Sequence, residues 1–193
     1  MKILDEAKTS QILPQGLNIS ITNDQSEQTK MQLDNLENSI VFGVILVVLV
    51  LLFFLGLRNS LFVGLAIPLS MFISFVVLGG MGTTMNMVVL FALILALGML
   101  VDNAIVVIEN IHRLYNDDGL SRFEAAKKGV SEIAVAIISS TATTSAAFFP
   151  LLVWDDIMGE FMGYIPTTLI IVLGSSLFVA LVINPVFAST FMK

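Results

Sequence analysis

One acidic residue of this chain lies inside a long apolar run, where a charge is costly. Asp102 belongs to residues 87–108, which are apolar except for this acid and Asn103. Counted as a helix at about 1.5 Å per residue, it lies roughly 12 Å or more inward from the basic residue Arg113. An ionised Asp near the centre of a membrane-spanning helix costs at least about 2.5–3.5 kcal/mol. Since burial favours a neutral carboxyl group and an approaching cation or water favours an ionised one, Asp102 is a candidate proton carrier.

The alternative is a structural role, in which Asp102 bonds a neighbouring helix without moving protons. Asn103 can donate and accept hydrogen bonds but cannot titrate, so we expect it to orient or hydrate a neighbour. Gly98, one turn before Asp102, could admit a second helix or simply pack closely. Because ionisable residues inside membranes generally serve function, we predict a proton relay site formed by Asp102 and Asn103.

Other polar residues near this site have simpler interpretations. Glu109, seven residues beyond Asp102, falls near the same helix face and is expected to be solvated at the membrane boundary. His112 is expected to be interfacial, although it titrates near neutral pH. Hydroxyl side chains of residues 133–154 could line a hydrated path, but such groups more often bond their own helix or pack against another: Ser139, Ser140, Thr141, Thr143, Thr144 and Ser145.

The amino-acid composition of the chain indicates that these residues lie in a membrane. Of 193 residues, 56% are hydrophobic and 12% are charged, whereas soluble domains carry about 25% charged residues. A net charge of −6 argues against a nucleic-acid partner, which requires a basic face. Without cysteine and with one histidine, the chain is expected to hold no thiolate or histidine-rich metal site, and we predict no cofactor. Membrane lipid is the predicted surrounding.

Five apolar segments are long enough to cross a membrane, which takes roughly 20 helical residues. Pro68 predicts a kink in the second segment. The polar N-terminal part alternates Leu17, Ile19 and Ile21 with polar residues, as in a half-buried strand. The predicted fold class is therefore an all-α integral membrane protein with a short α/β segment before five spans, at about residues 39–57, 61–80, 87–108, 133–154 and 164–188.

The distribution of basic residues predicts the orientation. Lys and Arg occur between the first and second spans, between the third and fourth, and after the fifth, whereas the other two loops have none. Positive loops stay in the cytoplasm, so the N-terminal segment is predicted outside and the C-terminus inside. In the predicted cytoplasmic loop 112–131, Ser121 and Glu124 have the spacing of a helix capping box. Because no signal peptide opens the chain, we expect a piece of a longer protein.

Several motifs resemble those of the RND (resistance–nodulation–cell-division) efflux permeases across almost the whole chain. The run Gly98-Met-Leu-Val-Asp102-Asn103-Ala-Ile-Val-Val-Ile-Glu109-Asn110 is similar to the fourth transmembrane helix of that family. Phe54-Leu-Gly-Leu-Arg58, Phe148-Phe-Pro150 and Asn184-Pro185 resemble the ends of the second, fifth and sixth helices. The resemblance implies that residues 1–36 end a periplasmic porter domain and that residues 37–193 form helices two to six of the transmembrane domain.

The resemblance also implies a function. RND permeases are bacterial inner-membrane pumps of twelve helices in two similar halves, usually trimeric, that exchange protons for hydrophobic or amphiphilic compounds. Acids of the fourth helix carry the protons and pair with a lysine of the second half, and a periplasmic adaptor and an outer-membrane channel complete the assembly. By this resemblance Asp102 is the proton-carrying carboxylate. Many multidrug members have a second Asp at the next position, where this chain has Asn103.

Other functions stay open from the sequence. Metal-ion or lipid export by another RND branch is one, and a non-transporting structural membrane subunit is a second. An intramembrane aspartyl protease would need two facing aspartates on separate helices, whereas only Asp102 lies deep in a predicted span. We therefore expect a transporter that is not an enzyme, and we expect this chain to be inactive without the lysine-bearing second half.

Overall fold

The computed structural model describes residues 26–192, so the predicted strand at Leu17–Ile21 and the rest of the α/β segment lie outside the described residues. The described part is built from helices. Five of them are long and apolar enough to cross a membrane, which confirms the predicted number of spans. We refer to them as the first to fifth spans: Ser26–Phe53, Asn59–Gly80, Met87–Asn116, Arg122–Leu152 and Tyr164–Phe191.

The first two spans form one long helical element, Ser26–Gly80, that is interrupted once. The interruption is at Gly56, with φ 75° and ψ 167°, a conformation that glycine adopts without steric cost. The first span begins at Ser26, ahead of the predicted start near residue 39, because no helix-breaking residue precedes the apolar run. The backbone dihedrals stay helical through Pro68.

The third and fourth spans have side-chain caps at their N-terminal ends. The Asn86 side-chain oxygen accepts hydrogen bonds from the backbone N–H groups of Val88 and Val89, at 3.0 and 2.9 Å. The Ser121 hydroxyl and the Glu124 carboxylate form the predicted capping box. The fourth span begins directly after it, at Arg122. The loop predicted at 112–131 is reduced to residues 117–121.

The helix type of the fifth span changes partway along its length. Two α-helical parts, Tyr164–Phe178 and Asn184–Phe191, flank a π-helical turn at Val179–Ile183. A short helix, Ile157–Met162, precedes it. The side chain of Asn184 is fully buried, and neither its amide nitrogen nor its oxygen has a hydrogen-bond partner within residues 26–192. Wide turns of this kind occur often at functional positions in helices.

The third span is the centre of the bundle, and it packs against the second, fourth and fifth spans. Its inner face carries small and aliphatic side chains that are fully buried, among them Ala92, Ala96 and Val107. The first span is peripheral, since 11% of its most apolar stretch is buried, against 44% for the second, third and fifth spans. The chain is therefore a multi-pass membrane protein in which the third span holds the other spans together.

Candidate functional site

Asp102 lies halfway along the third span and points away from the bundle. The helix runs from Met87 to Asn116, which places this acid near the middle of a helix long enough to cross a membrane. Its side chain is exposed, whereas Val101 and Ala104 on either side of it are buried against the neighbouring spans. The sequence predicted the depth of Asp102 but gave no indication of the face on which it lies.

Asp102 belongs to a continuous outward stripe of the third span. Gly98 lies one turn before it, and Val106 one turn after it, and both are exposed. A carboxylate that faced hydrocarbon at this depth would be strongly unfavourable, so this stripe requires contact with protein or water. We call this surface the Asp102 stripe, and its members are spaced by three or four residues: Phe91, Leu95, Gly98, Asp102, Val106 and Glu109.

Two hydrogen bonds between spans hold the third span in the rotation that turns Asp102 outward. The Ser176 hydroxyl of the fifth span donates to the Leu100 carbonyl oxygen at 2.8 Å, in a buried position. The Asn103 side-chain amide donates to the Thr141 hydroxyl oxygen of the fourth span at 3.4 Å. Because these bonds lie on either side of Asp102 along the chain, they fix the direction in which its side chain leaves the helix.

Asn103 therefore has a packing contact of its own, whatever its part in proton transfer. Its amide faces the fourth span and not the Asp102 stripe. This contact agrees with the expectation that Asn103 orients a neighbouring group. The sequence did not predict a role for Ser176, because it does not indicate which of the adjacent Ser175 and Ser176 faces another span.

Two of the hydroxyl groups singled out in the fourth span bond within their own helix. The Thr143 hydroxyl donates to the Ser139 carbonyl oxygen at 2.8 Å, and that of Thr144 to the Ser140 carbonyl at 3.0 Å. Thr141 is the member of this run that is buried and contacts the third span. Thr141, Thr143 and Thr144 are therefore engaged in helix contacts, and Thr141 is the one that contacts Asn103.

Polar residues gather at the end of the third span that carries the basic loop. The Asn110 amide donates to the Gly129 carbonyl oxygen at 2.9 Å, and Arg113 lies 3.4 Å from the Glu132 carboxylate. A groove of about 540 Å³ adjoins this network and includes Val106 and Glu109 of the Asp102 stripe. Water in this groove would reach to within one helical turn of Asp102.

The third and fourth spans pack closely against each other at Gly129. A Cβ atom at this position would lie 2.9 Å from the Ile111 Cγ1 atom and 3.2 Å from the Ile111 Cα atom. Glycine lets the two backbones approach to this distance, as small residues do in membrane helix pairs. The crossing holds the basic end of the third span in place below Asp102.

The described residues contain no group of three or more His, Asp or Glu side chains that could hold a metal ion. Histidine is represented by His112 alone, whose ring nitrogen lies 2.9 Å from the Asn116 amide nitrogen at the exposed helix end. This contact agrees with the interfacial position expected for His112. Within the Asp102 stripe, the carboxyl groups are those of Asp102, halfway along the span, and Glu109, near its end.

Comparison with known proteins places the chain within a larger architecture. A family model described as the AcrB/AcrD/AcrF family matches residues 3–193. The toluene efflux pump membrane transporter TtgE of Pseudomonas putida is 33% identical over 187 residues, which are 96% of this chain and 18% of that protein. The multidrug export protein AcrF of Escherichia coli is 29% identical over 188 residues, covering 97% of this chain and 18% of that protein.

A further relative extends the similarity to the full chain. The solvent-resistant pump membrane transporter SrpB of Pseudomonas putida is 32% identical over 193 residues, which are 100% of this chain and 18% of that protein. The chain thus spans less than a fifth of the length of the curated relatives it matches. In those relatives, the segment that matches this chain is part of a much longer protein.

Proposed function

The chain belongs to the AcrB/AcrD/AcrF family, and we propose that it forms part of an RND pump that exports hydrophobic or amphiphilic compounds in exchange for protons. The names of the relatives TtgE and SrpB refer to toluene and solvent, which are compounds of this class. By this proposal the chain contributes helices two to six of the permease, and the transported compound binds in parts that other segments supply.

The observation that carries the proposal is an outward-facing carboxyl group at mid-membrane depth. In its charged form Asp102 needs a cation or water beside it, and in its neutral form it tolerates apolar surroundings. Gaining or losing one proton therefore changes which surface can lie against the Asp102 stripe. A membrane potential of 100 mV supplies about 2.3 kcal/mol for each charge that crosses, enough to bias such an equilibrium.

We propose that the second half of the permease covers the Asp102 stripe and that its lysine pairs with the charged form of Asp102. Gly98 supports this arrangement, because a Cβ atom there would meet no heavy atom of residues 26–192 within 4 Å. A helix could therefore approach the third span closely one turn from the acid. The trimer, the periplasmic adaptor and the outer-membrane channel belong to the same proposal through the family.

The polar groove near Glu109 supports a proton exit at the basic end of the bundle. The positive loop next to it is expected to be cytoplasmic, which places the N-terminal segment in the periplasm and the C-terminus in the cytoplasm. Protons that bind Asp102 from the periplasmic side would then leave through this groove into the cytoplasm. The membrane of this proposal is the bacterial inner membrane.

The test replaces the acid in the full-length permease, reconstituted in liposomes with an imposed pH gradient. Asp102→Asn preserves size and removes titration, so we expect loss of both substrate export and substrate-dependent proton movement. Asp102→Glu keeps a titratable group and should retain part of both. Glu109→Gln removes the second acid of the same helix face, which lines the proposed exit groove, and it should lower the export rate less than Asp102→Asn does.

Each outcome of this test is decisive. Proton-dependent export by Asp102→Asn at the unsubstituted rate would show that Asp102 is merely structural. Loss of export in Glu109→Gln to the same extent would move the titrating group towards the helix end. Export of a metal ion or a phospholipid with no export of toluene-like compounds would assign the permease to another RND branch.

A further inference from the structure

A groove separates the start of the fourth span from the end of the fifth, at the end of the bundle that carries the basic loop. Its volume is about 350 Å³. One wall presents Phe123, Lys127 and Val130 of the fourth span, spaced as one helix face, and the other presents Leu181 and Val186 of the fifth. The groove is thus apolar along its length and has one charged residue at its side.

Lys127 is the basic group of this groove, and no acidic side chain lines the groove within the described residues. The ion pairs found in residues 26–192 use Arg113 and Lys128 but not Lys127. Glu124, one turn before Lys127, is engaged by the Ser121 hydroxyl at 2.7 Å. Glu124 keeps its negative charge in this contact but does not line the groove, so the groove lining itself carries one positive charge and no negative charge.

The adjacent Lys128, in contrast to Lys127, forms ion pairs in the described part of the chain. Its ammonium nitrogen lies 4.0 Å from the Asp118 carboxylate and 3.9 Å from the Glu132 carboxylate. It is absent from the lining of the groove. Both lysines adjoin a second depression beside Glu124, but only Lys127 also lines the groove and only Lys128 forms ion pairs among residues 26–192.

The apolar walls continue outside the groove. The side chain of Phe123 is 70% exposed, and that of Val186 is 58% exposed, at the membrane boundary. Large apolar side chains beside a lysine that forms no ion pair within the described residues match a molecule with an acyl chain and an anionic head. Basic grooves between spans on the cytoplasmic side of membrane proteins bind anionic lipid head groups in this way.

We propose that this groove binds an anionic phospholipid of the leaflet next to the basic loop, with its phosphate on the Lys127 ammonium group. One acyl chain lies between Val130 and Leu181, and Phe123 covers the junction of head group and chain. The lipid holds the fourth span against the fifth at the end where the loop 117–121 begins. Binding of this lipid is independent of proton transfer at Asp102, which lies near the middle of the membrane.

The experiment uses full-length permease in phosphatidylcholine nanodiscs that contain a small fraction of spin-labelled phosphatidylglycerol. Lys127→Gln should lower the apparent affinity for the labelled lipid about fivefold, the loss expected for one lysine near an anionic head group. Lys128→Gln, the matched control, should change it less than about twofold, since its charge is already compensated. Spin-labelled phosphatidylcholine should bind equally to both variants and to the unsubstituted protein.

A second variant tests the apolar part of the groove. Val186→Trp fills the space beside Leu181 and should displace the immobilised lipid signal while Lys127 is intact. Equal losses in Lys127→Gln and Lys128→Gln would overturn the proposal in favour of a diffuse charge effect. Unchanged binding in both Lys127→Gln and Val186→Trp would also overturn it. Cross-linking of a Ser189→Cys variant to another protein segment would do the same, since that segment would then be the occupant.

Discussion

The close crossing of the third and fourth spans at Gly129 gives a prediction whose size follows from the structure. A Cβ atom at Gly129 would come about 0.5 Å closer to the Ile111 Cγ1 atom than the 3.4 Å of ordinary contact. It would also lie 3.2 Å from the Cα atom and 3.3 Å from the nitrogen atom of Ile111. Backbone atoms cannot rotate away, so Gly129→Ala must separate the two helices by a few tenths of an ångström.

The expected cost is that of an overpacked core, about 1–3 kcal/mol. An opposing gain must be subtracted, because alanine stabilises a helix interior by about 0.5–1 kcal/mol relative to glycine. Gly174→Ala in the fifth span isolates this gain, since a Cβ atom there would meet no heavy atom of the described chain within 4 Å. The difference between the two variants should therefore equal the cost of the clash alone.

The assay is reversible unfolding of full-length permease by a denaturing detergent, with the free energy of unfolding compared among the three proteins. We expect Gly129→Ala to be about 1–3 kcal/mol less stable than Gly174→Ala. Separation of the helices should also lengthen the 2.9 Å bond from the Asn110 amide to the Gly129 carbonyl. If both variants had the same stability, the crossing at Gly129 would not be as close as the structure shows, and the reasoning would fail.

Further predictions address single contacts in full-length permease. Ser176→Ala removes the bond to the Leu100 carbonyl oxygen. It should lower the free energy of unfolding by about 0.6 kcal/mol, which is the average for hydrogen bonds between membrane helices. An unchanged free energy of unfolding would contradict the buried contact. Ser121→Ala removes a cap and should cost about 1 kcal/mol in the same measurement, with an unchanged value as the contrary result. Gly98→Leu should abolish export, because the proposed partner helix could no longer approach the third span. Gly174→Leu, the control, should retain export. Equal export by the two variants would argue against a covering helix at Gly98.

The number of spans and some of their ends could be predicted because they depend on local physics. Apolar length fixes where a helix can cross the membrane. The capping box at Ser121 and Glu124 is a short-range signal that the structure confirms. The conformation at Gly56 was missed, because a single glycine in an apolar run is typical of helix packing as well as of a break.

The faces of the spans could not be predicted, for a reason specific to membranes. In a soluble protein, polar residues mark the outer face of a helix, whereas lipid tails are as apolar as the bundle interior. The third span therefore has leucine on both its inner and outer faces, as at Leu93 and Leu95. The direction of Asp102 became evident only from the contacts at Leu100 and Asn103.

The two hydrogen bonds beside Asp102 also explain how proton binding could move a helix. Leu100 and Asn103 are tied to different spans, the fifth and the fourth, so a force on Asp102 is transmitted to both. A new attraction or repulsion at the outward face would rotate the third span against these bonds. Because an average bond of this kind contributes about 0.6 kcal/mol, both together resist less than the roughly 2.3 kcal/mol that one charge gains from 100 mV. The proposed cycle can therefore break and re-form them at each turnover.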